Sequence, residues 1–251
     1  GAPLSIATGE YYYGGRTYFR RWNRLRAPGG GLWLTKCVHD FDALCWLAGE
    51  PVRVHAAGGR KLFTPKTGAA ERCGDCALRW ECDDYQPLPA EPGPEEAFLE
   101  QWSRLGEPDG YLPPDACLYR ADTETIEYGA ATVQFADGAI ASHTLSVVTT
   151  PQHSGRWATV CGTRGALRGD PDTGKIHVSF RAAGKPPRTY DVSSLEVGMH
   201  GGADAAAVRG FYRTVRHGHP PAATAHEGKR AVRLALAARR SMDENRAVDL
   251  P

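Results

Sequence analysis

Residues 125–148, TIEYGAATVQFADGAIASHTLSVV, decide the fold class of this chain. Two stretches of alternating polar and apolar residues flank Asp137-Gly138, a dipeptide that favours a two-residue hairpin turn. The pattern predicts a strand over Thr125–Phe135 and a return strand over Ala139–Val148. Turn residues separate further short predicted strands at 156–161, 166–168, 176–180 and 189–192. Because short turns join antiparallel strands, we expect a mostly antiparallel sheet.

The segments on either side of this region supply helices and two more strands. Ser5–Phe19 is rich in Tyr, Thr and Phe, which is typical of a strand. Apolar residues at helical spacing predict a helix over 39–47, and a short alternating strand follows at 52–55. Val208, Phe211, Tyr212 and Val215 define one face of a later helix. A capping box from Thr224 to Glu227 then begins a last helix that runs to about Met242.

These elements predict an α+β fold with two layers, in which an open, mostly antiparallel sheet carries helices on one face. We expect one domain over residues 1–251. An irregular insertion that contains cysteines interrupts it at about 58–115, with one short helix near 95–104. A loop of this length inside a domain is usually functional or held by a metal.

Composition excludes several classes of protein. The chain has 251 residues, of which 41% are hydrophobic and 24% charged, and this balance is typical of a globular domain. The formal net charge of +1 argues against a nucleic-acid partner. No apolar run reaches the roughly 18 residues of a membrane span, and the first residues lack a signal-peptide pattern. We therefore expect a cytoplasmic protein without a membrane partner.

The residues that carry chemistry concentrate in 29–51, GGGLWLTKCVHDFDALCWLAGEP. His39 lies where a helix should begin, and an imidazole at that position is suited to general acid/base catalysis. Lys36 is three residues earlier, so the two side chains are expected to share a pocket in which Lys36 sets the charge state of His39. The alternative is a histidine that caps the helix or packs in the core.

The same stretch resembles the signature of the Gfo/Idh/MocA family, the glucose–fructose oxidoreductase and inositol dehydrogenase group. His39 matches the catalytic histidine of that family, and Trp46-Leu47-Ala48-Gly49-Glu50-Pro51 matches the end of its motif. The chain departs from the motif at Thr35, where the family has Asp, and at Cys37, where it has Gly. Further similar segments extend the resemblance over nearly the whole chain, at 18–24, 131–139, 160–165, 200–204 and 247–250.

The resemblance implies the C-terminal half of an NAD(P)-dependent dehydrogenase, with a dihydrodipicolinate-reductase-like sheet domain that binds a sugar, a cyclitol or a related polyol. His39 and Lys36 would be catalytic, and Thr35 and His200 would contact the substrate. In this family a Rossmann domain precedes the sheet domain, and the chain begins close to the first strand after it. The NAD or NADP site is therefore expected on a preceding domain or on a separate subunit.

Two other functions are compatible with the sequence. The replacement of the family Asp by Thr35 and the missing cofactor domain favour a non-redox binding or assembly subunit. A third hypothesis is acid/base chemistry on a sugar without a nicotinamide, with His39 as the proton carrier. The retained Lys36 and His200 favour the oxidoreductase.

An arginine-rich arm over residues 16–26 is a second candidate for ligand binding. Arg20 and Trp22 are its most suitable members, because a guanidinium and an indole can hold an anionic group or a sugar face. The alternative is a solvated edge on which guanidinium groups stack.

The insertion contains a possible metal site. Cys73, Cys76 and Cys82 form a C-x2-C-x5-C pattern, and Cys117 is the best fourth ligand for a structural zinc. Reduced thiols without a metal are the alternative. Seven cysteines in a chain of this length do not indicate a secreted disulfide framework.

The uncovered face of the sheet predicts self-association. We expect Ala131, Ala139, Ala141 and Val147 to point outward and to be covered by a second copy of the chain. The resemblance also implies a homo-oligomer that is joined through the sheet.

The sequence yields a prediction about the cofactor. No strand–Gly-x-Gly-x-x-Gly–helix unit and no Walker-type loop occurs in the 251 residues. We expect that the isolated chain does not bind NAD(H) or NADP(H), which calorimetric titration measures directly. Binding with a micromolar Kd would contradict this prediction.

Overall fold

Nine strands form a single sheet in the computed structural model, which describes residues 1–170, 173–193 and 202–251. The strands are β1 (Pro3–Tyr11), β2 (Pro51–Gly59), β3 (Tyr128–Phe135), β4 (Ile140–Ser146), β5 (Gly155–Gly162), β6 (Gly165–Asp170), β7 (Lys175–Phe180), β8 (Arg188–Asp191) and β9 (Val248–Asp249). The helices are α1 (Gly15–Tyr18), α2 (Arg26–Gly29), α3 (Leu32–Thr35), α4 (Val38–Ala48), α5 (Pro94–Leu105), α6 (Ala203–His217) and α7 (Ala225–Glu244). The α+β class predicted from the sequence is therefore confirmed.

The strands are arranged in the order β8-β7-β6-β5-β1-β4-β3-β2-β9. The hairpin at Asp137-Gly138 forms as predicted, with Gly138 at φ 89° in the left-handed region. The sheet is mostly antiparallel, as predicted, and its one parallel pairing among the described strands joins β1 to β4 with Ile6 opposite Ala141. The chain reaches β4 from β1 through a long excursion and not through a short turn, so nothing local fixes their relative direction.

One face of the sheet is covered by α3, α4 and α7. Trp33 stacks on Phe41 with ring centroids 5.9 Å apart, and Leu44 and Leu234 are fully buried. The predicted capping box is present at the start of α7, where Thr224 accepts from the Glu227 backbone N–H and Glu227 reaches back to the Thr224 N–H. Within the described ranges, no helix is both long and apolar enough to cross a bilayer.

The predicted strand over Ser5–Phe19 is too long. The strand ends at Tyr11, and the chain turns into α1 four residues later. Gly15 lies against the carbonyl oxygen of Val147, a position that leaves no room for a Cβ. This close approach is compatible with the turn into α1 and not with a continued strand, although aromatic residues continue in the sequence after Tyr11.

The residues predicted to face outward from the sheet are instead core residues. Ala131 and Ala139 are 2% exposed, and Ala141 and Val147 are fully buried. The open face carries the alternate positions, namely Tyr128, Ala130, Thr132, Gln134, Ile140, Ser142 and Ser146. Because side chains alternate between the two faces of a strand, an error of one position exchanges the buried and open sets.

Residues 60–127 form the excursion between β2 and β3, and buried polar contacts connect it to the sheet. The Glu127 carboxylate is fully buried and accepts the backbone N–H groups of Lys61, Leu62 and Phe63 at 2.6–2.7 Å. Arg16, on α1, pairs with Asp84 at 2.8 Å. These contacts hold the excursion against the edge of the core.

We expect Glu127→Gln to destabilise the protein. An amide presents one acceptor oxygen where the carboxylate has two, so at least one buried N–H loses its partner. The expected cost is roughly 2–4 kcal/mol of unfolding free energy, equivalent to one or two charge-assisted hydrogen bonds. Urea denaturation of the chain measures this cost. The control is Glu91→Gln, an exposed substitution expected to stay within about 0.5 kcal/mol of wild type. Equal midpoints for the two variants would contradict the prediction.

Candidate active site

The junction between α3 and α4 brings several polar residues onto the sheet. Gly31, at φ 85°, starts α3, and the backbone N–H of Leu32 donates to the Thr125 hydroxyl at 3.0 Å. Trp33 and Phe41 anchor the two helices in the core. The residues between these anchors, 36–40, therefore have a fixed position over the middle of the sheet.

A buried ionic network connects this junction to two central strands. The Nζ of Lys36 lies 2.9 Å from Oε1 of Glu10 on β1, and the ammonium also sits 3.9 Å above the ring of Tyr12. Arg156 on β5 contacts the same Glu10 oxygen at 2.7 Å and reaches Oδ1 of Asp40 at 3.1 Å. Two carboxylates and two cations are thus combined, and their formal charges cancel.

Burial shifts the protonation equilibria in this network. Desolvation, with the Asp40 carboxylate nearby, raises the pKa of Glu10, although Lys36 and Arg156 act in the opposite direction. Burial alone would lower the pKa of Arg156, but Asp40 and Glu10 outweigh it and the net shift is upward. The guanidinium therefore stays charged and keeps both carboxylates close.

His143 on β4 joins the cluster from the side of the sheet. Its side chain is fully buried, and burial lowers its pKa to about 4, so the imidazole is neutral near pH 7. The Nδ1 atom lies 3.0 Å from the Thr8 hydroxyl, whereas Nε2 lies 4.0 Å from Oδ2 of Asp40. A neutral ring at that distance forms neither an ion pair nor a hydrogen bond with Asp40.

A cleft of about 330 Å³ opens beside the network, on the side of β5. Thr8, Asp40, Arg156 and Trp157 contribute to its wall, together with apolar residues that include Ile176. A hydroxyl, a carboxylate and a guanidinium beside apolar side chains can bind a small polar molecule that also has an apolar face.

His39 lies on the other side of α4. Its side chain is exposed and lines a depression of about 270 Å³ together with Asp42, Trp46 and Glu227. Ala43 borders both this depression and the cleft. Within the described ranges the ion pair of Lys36 is with Glu10, and Lys36 does not line the depression at His39. The shared Lys36–His39 pocket stays a prediction. Neither a core nor a capping contact occupies the His39 ring in the described part of the chain.

Of the other predicted binding residues, Thr35 ends α3 at this junction, whereas Arg20 and Trp22 lie in the arginine-rich arm. The Thr35 hydroxyl donates to the Gly31 carbonyl of its own helix at 3.3 Å. Arg20 is buried and donates to the Ala116 carbonyl at 2.8 Å and to Gln86 at 2.9 Å. Trp22 is half-buried and lies against Gly29. The arm therefore connects the excursion to the domain, and His200 falls outside the described residues.

The four cysteines proposed as zinc ligands are free thiols. Cys73 and Cys76 influence the pKa of Cys117, which burial raises, so these three residues are neighbours. No three of the four sulfur atoms lie mutually within 4.8 Å. Because thiolates on one zinc are about 3.8 Å apart, as follows from Zn–S bonds of about 2.3 Å, a metal here would require the side chains to move. Zinc in the insertion stays a prediction.

Glu10, His143 and Arg156 are members of the cluster that the sequence analysis did not identify. A usable signal was present in β1, where Ile6 and Glu10 have the same parity and so face the same side of the sheet. A charged residue at an inward-facing position needs a buried partner. The identity of that partner depended on the strand order, which the sequence pattern does not reveal.

The described residues do not fit a nicotinamide dinucleotide. A Rossmann site needs parallel strands and a glycine-rich turn that leads from a strand into a helix. Of the eight strand pairings here, seven are antiparallel, and Gly162 and Gly165 flank a hairpin between β5 and β6.

The fold is shared with several dehydrogenases. Levoglucosan dehydrogenase, solved in complex with NADH and levoglucosan, superposes with a TM-score of 0.70 at 13% identity over 100% of this chain and 60% of that chain. An NAD binding oxidoreductase from Klebsiella pneumoniae gives 0.69 at 16% identity, again over 100% of this chain and 59% of the other. UDP-N-acetylglucosamine 3-dehydrogenase GnnA from Acidithiobacillus ferrooxidans gives 0.59 at 15% identity over 97% of this chain and 55% of the other.

Sequence comparison identifies the family. YteT of Bacillus subtilis, which is named as an oxidoreductase by inference, is 26% identical over 211 residues, 76% of this chain and 49% of YteT. The chain thus spans about half of that relative. Residues 1–250 match the model of the oxidoreductase family, C-terminal alpha/beta domain, of Gfo/Idh/MocA type. Since that match extends over practically the whole sequence, the chain belongs to the Gfo/Idh/MocA oxidoreductase family and represents its C-terminal α/β domain.

Proposed function

We propose that this domain is the substrate-binding and catalytic half of an NAD(P)-dependent oxidoreductase that acts on a sugar, a cyclitol or a related polyol. The observation that carries the proposal is the junction at 36–40, which belongs to the family-like stretch. It combines an exposed histidine with a charge-balanced network at the wall of a cleft. The dinucleotide would be held by a part of the complete enzyme other than these residues.

His39 is the proposed acid/base residue. Its ring projects from the first turn of α4 and is exposed, so a substrate hydroxyl can reach a ring nitrogen. During oxidation of an alcohol the hydroxyl proton must leave the oxygen, and a ring nitrogen of an imidazole can accept it. In the reverse direction the same ring returns the proton to the carbonyl oxygen.

Lys36 is proposed as a positioning residue. Its ammonium is engaged by Glu10 and the Tyr12 ring, so it would act on His39 through the helix junction. The pairing with Glu10 also ties the start of α4 to β1. A fixed helix start holds the His39 ring at a constant position relative to the cleft.

The substrate class is inferred from the groups around the cleft and from named relatives. Arg156 offers donors for hydroxyl groups, and Ile176 offers apolar surface for the face of a sugar. One fold neighbour was solved with levoglucosan, and another is named for action on UDP-N-acetylglucosamine. These features favour a polyol over an apolar substrate.

We expect His39→Ala in the complete enzyme to reduce kcat by roughly 10²–10⁴-fold, the usual contribution of a general base. The side chain is exposed, so the melting temperature should hardly change. The measurement is turnover per folded enzyme alongside thermal unfolding. His153→Ala, another exposed histidine, is the matched control and should keep full turnover. Normal turnover in a stable His39→Ala variant would end the catalytic assignment.

We also propose that the open sheet face joins two copies of the chain. The face exposes Tyr11, Tyr128 and Ile140 by 38%, 43% and 48%, and a hollow of about 630 Å³ runs across it. An open apolar sheet face is stabilised when a second copy covers it by two-fold symmetry.

Light scattering should therefore give a dimer or a tetramer at micromolar concentration. Ile140→Lys places a charge on the proposed interface and should release monomers. Leu105→Lys on α5 is the control, because that side chain is 72% exposed and lies away from the sheet. A monomeric wild-type chain would refute the interface.

A further inference from the structure

We propose that Cys37, Asp40 and His143 bind one divalent metal ion, with Zn²⁺ as the preferred ion. The Sγ of Cys37, a carboxylate oxygen of Asp40 and a ring nitrogen of His143 lie within 4.8 Å of one another. Within the described ranges this is the one group of three candidate ligands that satisfies that distance. The three residues come from the α3–α4 connection, α4 and β4.

Two of the proposed ligand atoms are buried without a partner. Oδ2 of Asp40 and Nε2 of His143 have no hydrogen bond, although the His143 side chain is fully buried and that of Asp40 is only 9% exposed. Unsatisfied buried polar atoms are costly, so two that face each other call for a common partner. A metal ion between them would supply that partner.

The distance between these atoms suits a shared metal. They are 4.0 Å apart, which is too long for a hydrogen bond. Bonds of about 2.0–2.2 Å to one tetrahedral zinc would separate them by roughly 3.4 Å, so a small side-chain movement closes the site. The Cys37 thiol, which is also fully buried, approaches from the helix junction.

The second atom of each polar ligand is already fixed. Nδ1 of His143 lies 3.0 Å from the Thr8 hydroxyl, and Oδ1 of Asp40 accepts from Arg156 at 3.1 Å. Such partners orient metal ligands and leave Nε2 and Oδ2 free. The arrangement is therefore that of ligands held in place before the ion binds.

The donor set indicates the ion. One sulfur, one nitrogen and one oxygen suit zinc or cobalt, whereas magnesium and calcium prefer oxygen ligands alone. Burial raises the pKa of the Cys37 thiol, so its proton would leave as the ion binds. Three protein ligands leave a fourth position open. Asp40 also borders the cleft of about 330 Å³, so the site lies next to it.

The test is metal binding by the wild-type chain, a readout that does not depend on whether His39 acts on a polyol. After purification without chelator, elemental analysis should find about one zinc per chain. Replacement by Co²⁺ should give a thiolate-to-metal charge-transfer band, and X-ray absorption should find a single sulfur ligand. An absence of uptake with zinc in excess would overturn the proposal. A four-sulfur shell would do the same and would point to the cysteines of the insertion.

Substitutions of single residues test whether these side chains are the metal ligands. Cys37→Ser and His143→Gln should abolish the cobalt band, whereas Cys76→Ser in the insertion and Cys45→Ser in α4 should retain it. Thr8→Val removes only the partner of Nδ1 and should weaken binding by roughly 10–100-fold, the usual effect of removing the hydrogen-bond partner that orients a metal-binding histidine. Retention of the band in Cys37→Ser and His143→Gln would refute the assignment. If those variants do not fold, the wild-type absorption spectrum and Thr8→Val still decide.

Discussion

The buried carboxylate of Glu10 constrains the rest of the structure. It lies on β1 in the middle of the sheet, and it is held by Lys36 from the helix junction and by Arg156 from β5. A buried ion pair that loses one partner typically costs about 3–5 kcal/mol, because the other charge stays uncompensated. The α3–α4 junction, β1 and β5 can therefore satisfy their charges only in one relative position.

That position brings the chemically useful groups together. Asp40 reaches Arg156 because Lys36 holds the start of α4 against β1. The parallel pairing of β1 with β4 places His143 directly opposite Thr8, so the imidazole faces Asp40 from the sheet. One network thus fixes the wall of the cleft, the proposed metal ligands and the direction in which His39 leaves the helix.

In the arginine-rich arm, a residue pattern that is suited to ligand binding has a structural role instead. Guanidinium groups near aromatic rings suit an anionic ligand, yet Arg16 and Arg20 are used by the excursion between β2 and β3. Together with the Glu127 carboxylate they attach about a quarter of the chain to the sheet edge. The excursion thereby obtains order from buried polar contacts, without a metal having to be assumed.

Local features of this protein were determined by the sequence itself. The Asp137-Gly138 hairpin and the capping box of α7 formed as predicted, because each depends on residues only a few positions apart. The periodicity around Val208 also gave a helix, α6. The choice of which face of β3 and β4 is buried, the parallel β1–β4 pair and the partner of Lys36 were decided by tertiary structure. Each depends on contacts between residues far apart in the chain. A shift of one position exchanges the two faces of a strand. A buried charge is paired with whichever opposite charge the fold brings next to it, and sequence spacing does not reveal that partner.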